Sequence, residues 1–364
     1  MVESDSSDGS VRAGGDLQDG NLQDIDLDLV SRTLVLEAVA EALDRYALPQ
    51  AAAKAQADIR QRLNGGGYGD IVSGYQLAET LTTQLQTLTE DRSMRVYFSP
   101  TPLPELSADT PPTAEELAYQ AQQSQRRNFD INRVERLAGN LGFLQLYGFE
   151  PPEFAGDTLA AAMTCIAHTQ GLIIDLRYNR GGSPGMVALL CSYLLPAYPA
   201  VHLSDVNWPA ENRTQQSWTI PHVGGPRYLD RPIYLLIGPE TATAAEEFAY
   251  TLKQLKRATL IGETTAGKAN PGAGQRLHDH FWMFLPMGQV VNPVTGANWE
   301  GSGVLPDFKV PVELALKVAH YMGLTDLKKH SQSLDQELGA ALATVKNQLD
   351  QMQQDLISQL GGLR

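Results

Sequence analysis

A chain of 364 residues, 43% hydrophobic and 19% charged, is long enough to build two ordinary domains with cores of their own. No apolar run is long enough for a bilayer, and neither the two cysteines nor the seven histidines show CxxC or HxxxH spacing, so no membrane span, disulfide or metal is expected. The formal charge of −14 comes without a basic stripe, which argues against nucleic acid as a partner.

Residues 1–28 carry half of that charge, a net of −7, and read as a disordered acidic tail. The start, MVESDSSDGSVRAGGD, has no apolar h-region, so the cytoplasm is the default compartment unless a leader has been removed. A helical bundle is expected over 29–98. Val35, Val39, Leu43 and Tyr46 recur at three- and four-residue steps until Pro49, and an alanine-rich helix then ends at Asn64-Gly65-Gly66-Gly67. Leu77, Leu81, Leu85 and Leu88 mark a third helix, and Met94, Val96 and Phe98 alternate as a strand. A proline-rich linker and an insert helix fill 99–130, the helix opened by a capping box of Thr113 and Glu116.

An α/β core is expected over 131–327. Strands are read at 142–146, 172–176, 232–237 and 258–261, with helices at 157–169, 184–195 and 244–256 between them. That alternation predicts βαβ units and a largely parallel sheet, and 281–286 with 289–291 reads as a hairpin. Cys165 and Cys191 lie in apolar stretches and are expected to be buried, reduced thiols. The last segment, 328–364, is an amphipathic helix with a seam of Leu338, Leu342, Val345, Leu349, Met352 and Leu356. Such a seam packs on its own domain, joins protomers over 334–360, or frays.

Two strand-to-helix turns could carry chemistry. In Gly238-Pro239-Glu240-Thr241-Ala242-Thr243, a hydroxyl opens a helix beside unpaired N–H groups and the positive end of the dipole. Thr243 there suits a nucleophile and equally a plain N-cap. The glycine-rich turn DLRYNRGG, 175–182, stands at the carboxyl end of its strand, where parallel sheets bind ligands. Gly181 and Gly182 allow close backbone approach, or simply make a turn.

Together these turns resemble those of tail-specific (C-terminal processing) serine peptidases. DLRYNRGG is similar to their DLRxNxGG turn, and TATAAEEFAY to their TxSAAEEF nucleophile turn. IGETTAGKANPG and NPVTGANWEGSGVLPD resemble the blocks downstream. Threonine at 243 and the three-helix segment are similar to the interphotoreceptor retinoid-binding protein branch, regarded as ligand binders. The resemblance implies a Clp-protease/crotonase-like core with an N-terminal three-helix bundle, a C-terminal helix and no cofactor. The stretch from Ser99 to Val134 is too short for the PDZ domain that many relatives insert. The resemblance also implies Thr243 as nucleophile, an oxyanion hole from Gly181, Gly182 and Ala244, and Lys268, 25 residues on, as base. Glu300 matches the glutamate of a second arrangement, but its histidine is replaced by Ser93. Lys268 is equally readable as a solvated surface charge. The expected activity is hydrolysis of peptide bonds in protein substrates. The alternative is a weak or inactive member that holds a peptide or hydrophobic small molecule in a cleft between bundle and core.

Overall fold

The computed structural model describes residues 24–104, 113–330 and 336–361. The chain opens with helices α1 (Leu29–Ala42), α2 (Pro49–Asn64) and α3 (Gly74–Thr89), strand β1 (Arg95–Phe98) and helix α4 (Ala114–Arg126). Strands β2 (Ile131–Leu137) and β3 (Leu141–Leu146) follow, then α5 (Pro152–Ile166), β4 (Gly171–Asp175) and α6 (Pro184–Leu194). A β-hairpin of β5 (His202–Trp208) and β6 (Arg213–Trp218) precedes β7 (Ile233–Ile237), α7 (Ala244–Gln254) and β8 (Thr259–Gly262). Last come β9 (Gly272–His278), β10 (Phe281–Pro286), β11 (Gln289–Val291), β12 (Phe308–Lys309), α8 (Val312–His330) and α9 (Gln336–Gly361).

The core sheet has the order β12-β8-β7-β4-β3-β2 and is parallel except at β2. Successive side chains alternate across it, as period two demands. Leu144, Ile174 and Leu235 face α5, α6 and α7, where they meet Leu159, Leu190 and Phe248. Their neighbours Phe143, Ile173 and Tyr234 face α8 through Ala315 and Ala319. Both faces are therefore covered, which is why these strands read as continuous apolar runs.

The expected bundle is completed by residues from far along the chain. β1 pairs with β10 and β10 with β9, and Phe281, Met283 and Leu285 share one core with Val35, Leu43, Leu77 and Leu81. Residues 24–28, expected to belong to a disordered acidic tail, are instead held against the body. Leu27 is buried and donates its N–H to Val72 O at 2.7 Å, and Asp24 accepts from Gly74 N at 3.0 Å; residues 1–23 lie outside the described residues.

Two other expectations are corrected. β10 and β11 do not form a hairpin: Met287 and Gly288 both donate to Pro271 O, and β11 leaves to pair with β5. Cys191 is buried, but Cys165 is exposed, on the outer face of α5 with Ala161 and Thr164. The C-terminal seam packs on its own chain at its start, where Leu338, Leu342 and Val345 meet Leu137, Leu141 and Leu324.

Candidate active site

β4 and β7 are neighbours, so the turns after their carboxyl ends meet. Thr241 Oγ1 donates to Leu176 O at 2.7 Å and accepts from Gly238 N at 2.9 Å, and Ala242 N donates to Asn179 O at 3.1 Å. Arg177 grips Asp175 with Nε at 2.9 Å and Nη2 at 2.8 Å, and donates from Nη1 to Val312 O at 2.6 Å. This fork ties the glycine turn to the start of α8.

Thr243 stands at φ 50°, ψ −116°, a backbone that a β-branched residue rarely adopts, immediately before α7. Its hydroxyl donates to Arg180 O at 3.1 Å. A Cβ added at Gly181 would lie 1.6 Å from that hydroxyl oxygen, and φ there is 103°, so glycine is required. Thr243, Gly181, Gly182 and Ala244 are thus brought together. The amides of Gly182 and Ala244 donate to no partner among the described residues. The Gly181 amide departs from expectation, because it donates to Asn179 Oδ1 at 2.9 Å. Asn179 is fully buried and its Nδ2 has no partner among the described residues.

The loop bearing Lys268 is joined to this turn through Glu246, a residue the sequence reading left without a role. Glu246 is fully buried on the first turn of α7. Its Oε2 accepts from Thr243 N and Lys268 N, both at 2.9 Å, and its Oε1 from Gly267 N at 2.7 Å and from Thr265 Oγ1. All four partners are donors, which a carboxylate accepts and a carboxamide cannot. The signal that could have found it is the threonine-x-x-glutamate spacing of a capping box. The Lys268 side chain itself is exposed, and its ammonium has no hydrogen bond or ion pair among the described residues.

Glu300 lies on the far side of the same loop. Its Oε2 accepts from Ala269 N at 2.7 Å and Asn270 N at 2.9 Å, while Oε1 accepts from Ser93 Oγ at 2.8 Å. Burial pushes its carboxyl above the usual range, against the pull of the hydrogen bonds from Asn270, Ser93 and Ala269. Ser93 is held in turn, its N–H donating to Asp91, which accepts from the Tyr46 hydroxyl at 2.9 Å. Glu300 therefore bridges the bundle and the core loop.

Beside the glycines runs a cleft of about 1090 Å³, between α4 and the segment 148–151, which reaches Gly181, Gly182 and Ser183. This opening lies between the insert helix and the core.

Comparison with known proteins agrees with this architecture. Peptidase family S41 matches residues 140–310, and the N-terminal domain of Peptidase_S41 in eukaryotic IRBP matches residues 30–130. A carboxy-terminal-processing protease of Bartonella bacilliformis is 25% identical over 240 residues, covering 62% of this chain and 53% of that protein. A carboxyl-terminal-processing protease of a Synechocystis species is 38% identical over 98 residues, covering 27% of this chain and 21% of that protein. The chain therefore matches about half the length of the first relative and less of the second. Among solved structures, a candidate peptidase from Parabacteroides merdae has a TM-score of 0.53 at 17% identity, covering 77% of this chain and 90% of that one. The photosystem II D1 C-terminal processing protease has a TM-score of 0.50 at 17% identity, covering 78% and 94%. At that identity the likeness concerns the fold. With its α/β core, its two meeting turns and these matches over core and bundle alike, the chain belongs to peptidase family S41, with the N-terminal domain of the eukaryotic IRBP type.

Proposed function

We propose that the chain hydrolyses peptide bonds of protein substrates, with Thr243 as nucleophile and Lys268 as general base. The amides of Gly182 and Ala244 hold the oxyanion, and Gly181 acts by leaving room for the hydroxyl. The observation that carries this reading is the shared carboxylate of Glu246, which binds Thr243 N and Lys268 N at once and so fixes the nucleophile turn against the base loop. Helix α7 aims its dipole at the same point, where negative charge develops during acyl transfer.

Catalysis asks for two movements. The Thr243 hydroxyl must leave Arg180 O, and the exposed Lys268 side chain must fold over it and lose water, because only a neutral amine takes a proton. Those same two features favour a second reading, a family member that keeps the scaffold, has weak chemistry and holds a peptide in the cleft. The carboxylates and glutamines of that cleft suit a peptide better than an apolar small molecule.

Hydrolysis of an unfolded protein decides between the two. Lys268→Ala or Thr243→Ala should abolish the activity. Thr243→Ser should increase it several-fold, on the order of 1 kcal/mol in the barrier, by removing the methyl that stiffens χ1. Glu300→Gln should have a smaller effect, since no imidazole stands beside it. If Thr243→Ser gains nothing and Lys268→Ala loses nothing, the peptidase reading fails.

A further inference from the structure

The cleft beside the oxyanion amides has a character of its own. One wall is α4, a helix with Ser124 as its one buried residue, so it stands off the body with Leu117 and Tyr119 41% and 48% exposed. Its C-terminal end is anchored: Ser124 Oγ donates to Glu150 Oε2 at 2.7 Å, and Arg127 reaches Glu150 Oε1 at 2.7 Å and Asp130 at 3.1 Å. The chain then leaves α4 through three successive left-handed residues, Asn128, Phe129 and Asp130, which turn it back toward β2. The opposite wall is Phe149, Glu150 and Pro151, and the floor is Gly181, Gly182 and Ser183.

Charge within the cleft is one-sided. Glu115, Glu116, Asp130 and Glu150 face a single cation, Arg127, a net of −3. Arg127 is already countered by two carboxylates, and Arg180, next to the glycines, is paired with Glu240 at 2.7 Å. Glu116 closes the capping box with Thr113. Glu115 has no hydrogen-bond or ion-pair partner among the described residues. A free C-terminal carboxylate or an acidic segment would thus enter like charge with no spare cation to receive it.

We infer that this cleft is the substrate channel, and that it takes an extended polypeptide segment bearing basic side chains, with Glu115 on α4 reading their charge. The inference rests on the peptidase reading for what happens to the segment, but not for its binding. The channel reaches Gly181 and Gly182, and the Gly182 amide has no partner among the described residues, so a segment lying in it brings its backbone to that amide. Specificity then resides in an insert helix, outside the parts that carry the chemistry.

The test uses Thr243→Ala, in which turnover cannot interfere, and an unstructured labelled peptide in a lysine-bearing and a glutamate-bearing version. Fluorescence anisotropy should show the lysine version binding about tenfold more tightly. Glu115→Lys, at an exposed position on a helix whose capping box stays intact, should remove that preference, and Glu115→Gln should halve it on a logarithmic scale. Asp350→Lys, an exposed change of equal charge on α9, should leave the preference in place. Equal binding of both peptides overturns the inference, and so does an equal loss from Glu115→Lys and Asp350→Lys, which would mean attraction to the overall charge. If the preference holds but the wild-type chain cuts neither peptide, the peptidase reading fails and the channel stands. If the chain cuts both equally, with no effect of Glu115→Lys, the channel fails and the peptidase reading stands.

Discussion

At the scale of single residues, Glu300 gives the chain a measurable pH signature. Its folded carboxyl is held above the usual range, first by burial, so the unfolded chain releases this proton at a lower pH than the folded one. The stability it contributes is fully present below the unfolded pKa, about 4.3, and is lost as pH rises through the folded value. Glutamine can keep every contact. Its carbonyl accepts from Ala269 N and Asn270 N, and its amide donates to Ser93 Oγ. Glu300→Gln should therefore raise the melting temperature at pH 7, with a gain that shrinks as pH falls toward 4. A gain that does not change with pH would show that the carboxylate carries no such penalty. The residues that meet at the site were legible where local rules reach them: a hydroxyl ahead of a helix, a pair of glycines after a strand. Asn179 and Glu246 were not assigned roles: Asn179 acts inside its own turn, through a side-chain bond that spacing alone does not show, and Glu246 acts through partners in another segment. Gly181 N takes the Asn179 side chain, and Glu246 draws in Gly267 and Lys268 from 21 and 22 residues away.

At the scale of elements, the parallel strands and their helices were readable because apolar runs of five residues between helical patterns have few other folds to enter. The misread hairpin shows the limit. Met287-Gly288 looks like a two-residue turn, yet its N–H groups are spent on Pro271 O and the two strands belong to different sheets. β9, GAGQRLH, and the pair β5 and β6 carry too many glycines and polar residues to alternate cleanly, so pairing alone makes them strands. The C-terminal helix is a divided case. Val345 is 3% exposed against Leu141 and Leu324, whereas Leu349, Met352 and Leu356 are only partly buried and Ile357 is 69% exposed. Val345→Ala should cost about 1–3 kcal/mol. Leu342→Lys should likewise lower the melting temperature without changing the mass in solution. Leu349→Lys separates the roles of the two halves. A fall in mass at unchanged stability, read by light scattering, would assign the outer half to contacts between protomers.

At the scale of the whole molecule, the bundle and the α/β core are two layers of sequence but not two independent solids. Strands β9 and β10 leave the core between the Lys268 loop and β11 to build the floor of the bundle, so Met283 and Phe281, both fully buried, complete a core begun by Val35 and Leu77. Ala47 N donates to Pro286 O at 3.0 Å, and Ser93 reaches Glu300 beside the Lys268 loop. Any loosening of the bundle is therefore felt where the chemistry is proposed to occur. Two consequences can be measured. Residues 29–98 expressed alone lack the apolar floor supplied by β10 and should show no cooperative unfolding. In the full chain Met283→Ala removes a buried side chain with little room to collapse, and should cost about 2–5 kcal/mol. Because the shared floor couples the units, that loss should shift one common thermal transition of bundle and core. Two separate transitions, with the mutation moving only the one reported by bundle tyrosines such as Tyr46 and Tyr68, would show that the units unfold independently and that Ser93 and Glu300 meet without joining them.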